Sequence, residues 1–268
     1  MTAPLPVRPR VLAQVGALSR RSVVGLLREF PLLLPGILFP LVFVAINAGS
    51  FTKSLPLLQA CCYPELDSFV TFTLASSVVQ GVLFGSVQGA TGLATDIEQG
   101  FFERMLASPV NRTAILVSRL AGAAFLGALQ ASLFAVVLTV FGARVSAGLA
   151  GYAVLVVSGA LIALGFGALL AAMAIKTGSA EAVQSTFPLA FVLLFASSAF
   201  FPRETMTGWF RTLADWNPLS HITEGLRDLV IDGWSWSAAL NALDLPLGIT
   251  AVGVVLALVA LRRRLAAS

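Results

Sequence analysis

The 28 residues from Ser68 to Thr95, SFVTFTLASSVVQGVLFGSVQGATGLAT, contain no charged side chain. A helix needs about 20 apolar residues to cross the hydrocarbon of a bilayer, so this run is long enough to span a membrane. Of the 268 residues, only 11% are charged and 57% are hydrophobic, whereas an average globular chain carries about 25% charged residues. This composition excludes soluble and disordered proteins and predicts an all-α polytopic membrane protein.

Uncharged runs like this one divide the chain into six predicted transmembrane helices within a single domain, 1–268. The run at 145–175 is shortened at its start because Gly148 and Gly151 favour a loop. The last run is extended toward Ala238, which places Trp234 and Trp236 in the aromatic belt at the membrane boundary. The predicted spans are 31–51, 68–94, 118–141, 152–175, 182–200 and 240–261.

The distribution of charge predicts the orientation of the chain. Six spans place both termini on one side, which would hold 12 of the 17 basic residues and 5 of the 13 acidic ones, a net charge of +7 against −3 on the other side. Loops rich in Lys and Arg stay in the cytoplasm. The abundance of Arg, Ala, Gly and Val suggests a GC-rich bacterial genome, so we expect a bacterial plasma membrane protein with both termini cytoplasmic.

The segment 8–29, ahead of the first span, is predicted to form an amphipathic helix. Arg10, Gln14, Arg21 and Arg28 fall on one side of a helical wheel, and valines and leucines occupy the other. Such a helix lies along the cytoplasmic headgroup boundary. It either only anchors the topology or also braces a cytoplasmic partner.

A second cytoplasmic element, DIEQGFFERMLASPVNR at 96–112, follows the second span directly. Its apolar residues recur at helical spacing and predict one compact face, with Glu103 and Arg104 beside it. Pro109 ends the helix. Either this apolar face dips back into the membrane or it fills a groove on another protein; its members are Phe101, Phe102, Met105 and Leu106.

The outer segment 203–230 is too apolar for open water and too interrupted for a span. Asn217 as N-cap and Pro218 at the first helical position predict a helix start, so two short helices would meet at 217. The pattern predicts a re-entrant hairpin in the outer leaflet. Glu224 and Arg227 are expected to pair at i, i+3 spacing.

Three motifs in this order resemble the ABC type-2 exporter permeases, in particular their daunorubicin-resistance-type drug and lipid branch. The resemblance covers nearly the whole chain, and it departs from the branch at Thr207, where proline is expected. Arg203 adds a bulky charge to the outer segment. The matching residues are Glu98, Gly100, Phe101, Glu103, Arg104, Leu106 and Pro109 in the first motif, Pro202, Glu204, Thr205, Met206, Gly208 and Trp209 in the second, and Asn217, Pro218, Glu224 and Arg227 in the third.

The resemblance implies a permease of six spans that acts as a homodimer or heterodimer, with each half bound to a separate ATPase subunit that carries ATP and Mg²⁺. It implies that 97–108 is the coupling helix seated in a groove of that ATPase, and that 203–230 caps the exit path. Implied coupling residues are Glu98, Gly100, Phe101, Phe102, Glu103, Arg104, Leu106 and Pro109, and implied outer-gate residues are Glu204, Trp209, Asn217, Pro218, Glu224 and Arg227.

The residues themselves assign no catalytic chemistry to this chain. No G-x-x-x-x-G-K-[ST] loop is present to hold a nucleotide phosphate, and no predicted span centre carries a charge that would indicate a proton relay. The adjacent Cys61 and Cys62 are expected to mark a membrane boundary rather than to frame a disulfide scaffold or a metal site. We therefore predict that the chain binds no cofactor or metal and is not an enzyme. A nucleotide-independent channel or scaffold subunit remains the alternative to an exporter.

Polar and small residues inside the spans indicate an internal path. Gln80, Gln88 and Gln130 are the candidates to line it, and the absence of a charged pocket predicts a hydrophobic cargo. Glycines at 81, 85 and 89 form a stripe on the second span that would let another helix approach closely. The stripe serves either packing within the subunit, a dimer seam, or the substrate path.

Overall fold

The computed structural model describes residues 16–20, 23–25, 30–107 and 111–267, and in these ranges the chain is helical, with no strand. Two 3₁₀ turns, Thr52–Ser54 and Arg203–Thr205, lie between the helices. The α-helices are α1 (Phe30–Phe51), α2 (Leu55–Cys61), α3 (Phe69–Glu98), α4 (Phe101–Ala107), α5 (Arg112–Val140), α6 (Gly148–Thr177), α7 (Ala180–Gln184), α8 (Phe187–Phe195), α9 (Gly208–Trp216), α10 (Pro218–Ile231) and α11 (Trp236–Ala267).

Five apolar stretches in the described ranges are long enough to cross a membrane: α1 with its continuation to Cys61, α3, α5, α6 and α11. They coincide with five of the six predicted spans, which confirms the all-helical membrane fold. The loop expected at Gly148 and Gly151 is wrong, because α6 already begins at Gly148. A Cβ at Gly151 would lie 2.7 Å from Val145, so this glycine allows the preceding turn to pack on the helix.

The single helix predicted over 182–200 is instead two short helices, α7 and α8. They are separated by Ser185 and Thr186, whose hydroxyls donate to Ala182 O and Val183 O. Pro188 follows and has no N–H to donate to the carbonyl of Gln184, so one continuous helix would lose a hydrogen bond there. The six-span count therefore stays a prediction.

Helix α3 lies at the centre of the bundle and is almost entirely buried. Its glycines receive α5: a Cβ on Gly81 would lie 2.1 Å from the Phe134 ring, and one on Gly85 would lie 2.5 Å from the Gln130 amide. The Gly81–Gly85 part of the predicted stripe therefore serves packing within the subunit. Gly89 has no atom within 4 Å of an added Cβ.

Backbone also meets backbone along α5, α6 and α11. A Cβ on Gly127 of α5 would lie 2.4 Å from the carbonyl oxygen of Gly159 in α6. A Cβ on Gly253 of α11 would lie 2.6 Å from the carbonyl oxygen of Gly165 in α6. The Thr250 hydroxyl donates to Leu161 O at 2.9 Å. The close approach of these three helices therefore depends on glycine at these positions.

By contrast, α8 packs against α1 and α3 through phenylalanine side chains. Phe191 lies 4.9 Å from Phe84 of α3 and 5.3 Å from Phe39 of α1, measured between ring centroids. Phe195 continues the row to Phe43 and Phe200. Offset and edge-to-face ring contacts thus form the seam between α8 and the rest of the bundle.

The segments predicted to be functional lie at the two ends of the bundle, α4 at one end and the α9–α10 hairpin at the other. We call the end that holds α4, α7 and the last turns of α6 and α11 the basic end, and the end that holds α2, α9 and α10 the hairpin end. At the hairpin end Cys61 and Cys62 form a disulfide with each other. At the basic end Leu18 packs on a second apolar cluster; of the amphipathic helix predicted over 8–29, only 16–20 and 23–25 lie within the described residues, and they are helical.

Candidate functional site

Helix α4 follows α3 after a sharp turn at the basic end. Gly100 makes this turn possible, because its φ of +67° lies in the left-handed region that favours glycine. The N–H of Gly100 donates to Ile97 O, and the N–H of Arg104 donates to Gly100 O. The chain thereby changes direction within the two residues between α3 and α4, and α4 packs on the basic end of the bundle through Phe102.

The four apolar residues of α4 do not share one face, in contrast to the sequence expectation. Phe102 is fully buried in the apolar cluster of the chain's own basic end, with Ile97, Ile115 and Leu116. Met105 and Leu106 pack partly against the same cluster. Phe101 remains half-buried on the other side, where the Arg104 guanidinium lies 5.9 Å from its ring centroid.

Charged side chains fasten α4 to the helices that end beside it. The Arg264 guanidinium at the end of α11 donates to Glu103 Oε1 at 2.7 Å and to Ile175 O of α6 at 2.7 Å. Glu98 Oε1 accepts the N–H of Ala180 at 2.7 Å, at the start of α7. An ion pair between Asp96 and Arg119 joins α3 to α5. Glu103 thus links α4 to α11, while Glu98 links the end of α3 to α7. Pro109 lies outside the described residues.

At the hairpin end, the predicted break at Asn217 is confirmed. The Asn217 side chain accepts the N–H of Leu219, which caps α10, and Pro218 occupies the first helical position. The same side chain donates through Nδ2 to Leu193 O of α8 at 2.6 Å. This one residue therefore both starts α10 and holds it against α8.

The ion pair predicted between Glu224 and Arg227 is wrong. Glu224 pairs with Arg203, whose guanidinium also lies 3.5 Å from Asp215 of α9. Arg227 faces the interior, so it cannot meet the same carboxylate. Arg203, which the sequence singled out as an added charge, is the residue that links the 3₁₀ turn to α9 and α10.

Arg227 is fully buried, and its guanidinium lies 4.0 Å from the centroid of the Phe72 ring in α3. Nη2 donates to Ser198 O and Ala199 O, each at 3.2 Å, and Nη1 lies 3.4 Å from the Tyr63 hydroxyl. Its described hydrogen-bond partners include no carboxylate. Arg227 thus joins α3, α10 and the turn after α8 through carbonyl oxygens and an aromatic face.

The other outer-gate candidates lie on the surface. Trp209 is 77% exposed, and Glu204 is exposed on the 3₁₀ turn. On α9, Leu213 and Trp216 are exposed as well. This uncovered apolar surface fits the predicted contact with lipid, but the position of the hairpin in the membrane stays a prediction.

Acidic side chains at the end of α10 titrate outside their ordinary range. Burial, together with the nearby carboxylates of Asp232 and Glu224, raises the pKa of Asp228 to about 6. Burial also raises the pKa of Asp232, with a further contribution from Glu65. Burial raises the pKa of the Tyr63 hydroxyl, although Arg227 acts in the opposite direction.

The three glutamines predicted to line a path are not brought together. Gln130 is 2% exposed and faces a narrow cavity between α3, α5 and α6, with Gly85, Gly89 and Arg119 among its other walls. Gln80 is also buried, and Gln88 is half-buried, but neither lines this cavity. The Nε2 atoms of Gln80 and Gln130 have no hydrogen-bond partner within the described structure. The cavity volume of about 60 Å³ accommodates roughly four water molecules.

Comparison with known proteins decides the family. The family model described as "ABC-2 family transporter protein" matches residues 44–261, which is most of the chain. The chain belongs to the ABC-2 transporter family. As an ABC-2 permease it is a membrane protein, and α3, α4 and the α9–α10 hairpin all lie within the matched region.

Relatives of this ABC-2 permease include transport proteins of bacteria and of algae. It is 30% identical over 201 residues to the daunorubicin resistance ABC transporter permease protein DrrB1 of Streptomyces coeruleorubidus, an alignment that covers 72% of this chain and 65% of the relative. It is 23% identical to the putative transport permease ycf38 of Porphyra purpurea, covering 92% and 84% of the two chains. It is 26% identical to ycf38 of Cyanophora paradoxa, covering 87% and 80%. The chain thus spans slightly less than two thirds of the length of DrrB1.

Two features of this ABC-2 permease were missed by the reading of its sequence. The role of Arg227 had no local signal, because its partners lie up to 164 residues away along the chain. The attachment of α4 through Arg264 was also missed, because a basic C-terminal segment is typical of any cytoplasmic end. In the described ranges, no group of three or more potential metal ligands was found.

Proposed function

We propose that this chain is the permease subunit of an ATP-binding-cassette exporter that moves a hydrophobic drug or lipid-like molecule out across the plasma membrane. ATP and Mg²⁺ would bind to a separate ATPase subunit, and two permease subunits, identical or different, would enclose the transport path. The proposal rests on the family, on the resistance function named for DrrB1 and on the geometry of α4.

The placement of α4 is the observation that carries the proposal. Phe102 anchors the helix inside the chain, while Phe101, Arg104 and Ala107 keep an outward side that a partner can contact. A half-buried aromatic residue with a charged neighbour is typical of an interface anchor and its rim. Because Glu98 and Glu103 tie the same segment to α7 and α11, a push on α4 would reach those helices.

Crosslinking tests this arrangement. Ala107→Cys is made in a chain whose Cys61 and Cys62 are replaced by Ser, and the chain is co-expressed with its ATP-binding subunit. We expect efficient crosslinking that changes when ATP is added. Leu57→Cys, exposed on α2 at the hairpin end, is the matched control and should give no crosslink.

Two further variants test whether the contact transmits movement. Phe101→Ala should lower transport roughly tenfold, as expected for an interface anchor, while membrane insertion persists. Arg104→Glu should lower transport and crosslinking together. Full transport in Phe101→Ala, combined with no crosslink at Ala107, would contradict the proposal and favour a nucleotide-independent channel or scaffold.

The cargo path is proposed from Gln130 and its cavity. At about 60 Å³, the cavity is far smaller than the 300–1,000 Å³ typical of sites for drug-sized ligands. A bulky substrate therefore requires the helices to separate or to enclose it with a second subunit. The unpartnered amides of Gln80 and Gln130 would then become available to polar atoms of the substrate, and Gln88, two turns beyond Gln80 on α3, would extend the polar path toward the basic end.

A further inference from the structure

A groove separates the last turns of α6 and α11 at the basic end. Its volume is about 640 Å³, and it is open on one side. Ala172 and Met173 of α6, with Leu256, Val259 and Ala260 of α11, form its apolar walls. Lys176, Arg263 and Arg264 complete the lining at the rim. The groove shares no lining residue with the Gln130 cavity, and Arg264 of its rim contacts Glu103 of α4.

The three cations of the rim differ in their surroundings. Arg264 is engaged with Glu103 and with Ile175 O. Lys176 and Arg263 are exposed, and no ion pair of either was found in the described part of the chain. Within the described residues, two positive charges thus face the groove without a paired carboxylate, which favours an anionic occupant.

Charge and hydrophobicity are ordered along the two helices. Arg263 lies one turn beyond Val259 and two turns beyond Leu256, and Lys176 lies one turn beyond Met173 and Ala172. With α6 and α11 spanning the bilayer, this order would place the cations at the membrane boundary and extend the apolar walls about 10 Å toward the bilayer centre. A free phosphate ion would fill only the rim, whereas a phospholipid matches both parts.

We propose that this groove binds one anionic phospholipid, with its phosphate between Lys176 and Arg263 and one acyl chain against Met173, Leu256 and Val259. Basic pockets between transmembrane helices commonly bind anionic headgroups. Because Arg264 connects the same end of α11 to α4, the lipid would lie directly beside the segment proposed to contact the ATPase. The inference does not depend on the cargo or on the ATPase partner.

Native mass spectrometry of the full-length chain in detergent tests the site. The chain is titrated with phosphatidylglycerol and, separately, with phosphatidylcholine. We expect one phosphatidylglycerol to bind more tightly than phosphatidylcholine. The double variant Lys176→Gln with Arg263→Gln should weaken phosphatidylglycerol binding by about 30-fold, since each cation near a membrane surface contributes roughly a factor of five.

The matched control is Arg262→Gln, which removes the same charge from the neighbouring exposed residue outside the groove lining. It should leave the preference for phosphatidylglycerol intact. If Arg262→Gln weakened phosphatidylglycerol binding as much as the double variant does, the proposal would be overturned. The anionic lipid would then be attracted by the basic end in general and not by the groove. Displacement of the lipid by millimolar inorganic phosphate would also overturn it, as would disulfide crosslinking of two copies through Val259→Cys, which would assign the groove to a second subunit.

Discussion

Arg227 shows how one residue holds three parts of the hairpin end together. Its guanidinium satisfies the carbonyls of Ser198 and Ala199 and covers the face of Phe72. Arg227→Met keeps the volume but leaves buried acceptors without a donor, which costs about 2–4 kcal/mol of stability. We expect thermal unfolding in detergent to begin at a clearly lower temperature.

Arg211→Met, an exposed arginine on α9, controls for charge removal and should leave the unfolding temperature nearly unchanged. Arg227→Lys should restore only part of the stability, because an ammonium group lacks the planar fork that reaches both carbonyls. If Arg227→Met unfolded at the same temperature as the parent, the buried hydrogen bonds of Arg227 would make no net contribution to the stability of the fold.

Asp228 makes the stability of the hairpin end depend on pH. Its pKa is raised to about 6 in the fold, above the ordinary value of 3.8, so the fold favours the protonated carboxyl. Its ionisation therefore destabilises the fold as the pH rises from about 4 through 6. Asp228→Asn should stabilise the chain by about 1 kcal/mol at pH 7.5, an amount reduced from the full shift because the side chain is partly solvated.

The gain in Asp228→Asn should be much smaller at pH 4.5, where the parent carboxyl is protonated in the fold and only its ionisation in the unfolded chain still costs stability. Thermal unfolding at the two pH values measures this difference. Asp67→Asn removes an exposed carboxylate that faces exposed Arg144 and should have little effect at either pH. A gain that is the same at both pH values would contradict the titration of Asp228.

At the scale of the helices, glycines on α3 set the distance to α5. Gly85→Leu would place a side chain where the Gln130 amide lies, since even a Cβ would be 2.5 Å from Gln130 Oε1. Overpacking of this kind costs about 1–3 kcal/mol. We expect a lower yield of folded protein by size-exclusion chromatography. Gly89→Leu, where an added Cβ meets nothing within 4 Å, is the matched control and should retain the parent yield.

Local signals explain which elements could be predicted from the sequence. The long uncharged runs predicted five spans because bilayer thickness alone requires their length, and Asn217 with Pro218 predicted the start of α10 because capping is a local interaction. The inward orientation of Phe102 and the partners of Arg227 depend on residues distant in sequence. The i, i+3 spacing between Glu224 and Arg227 is compatible with an ion pair, but in the fold Arg203 pairs with the Glu224 carboxylate instead.

At the scale of the whole molecule, charge predicts which end of the bundle faces the cytoplasm. Cysteine at Ser268, in a chain whose Cys61 and Cys62 are replaced by Ser, should react with a membrane-impermeant maleimide only after the cells are opened. Thr207→Cys, exposed at the hairpin end, should react in intact cells. Labelling of Ser268→Cys from outside would contradict both the orientation and the even number of spans.

Helices that meet through glycine backbone and helices that meet through phenylalanine rings are expected to differ in how freely they move. Where Gly127 meets Gly159 and Gly253 meets Gly165, main chain touches main chain, and a small sliding motion would bring backbone atoms into collision. We therefore expect α5, α6 and α11 to move as one rigid body. Rings can slide over each other with less change in packing, so we expect α8, which packs on Phe39 and Phe84, to be the helix that moves relative to this rigid body. A displacement of α4 would then move α5, α6 and α11 together. The relative movement that opens the bundle would occur only at the phenylalanine seam between α8 and its neighbours α1 and α3.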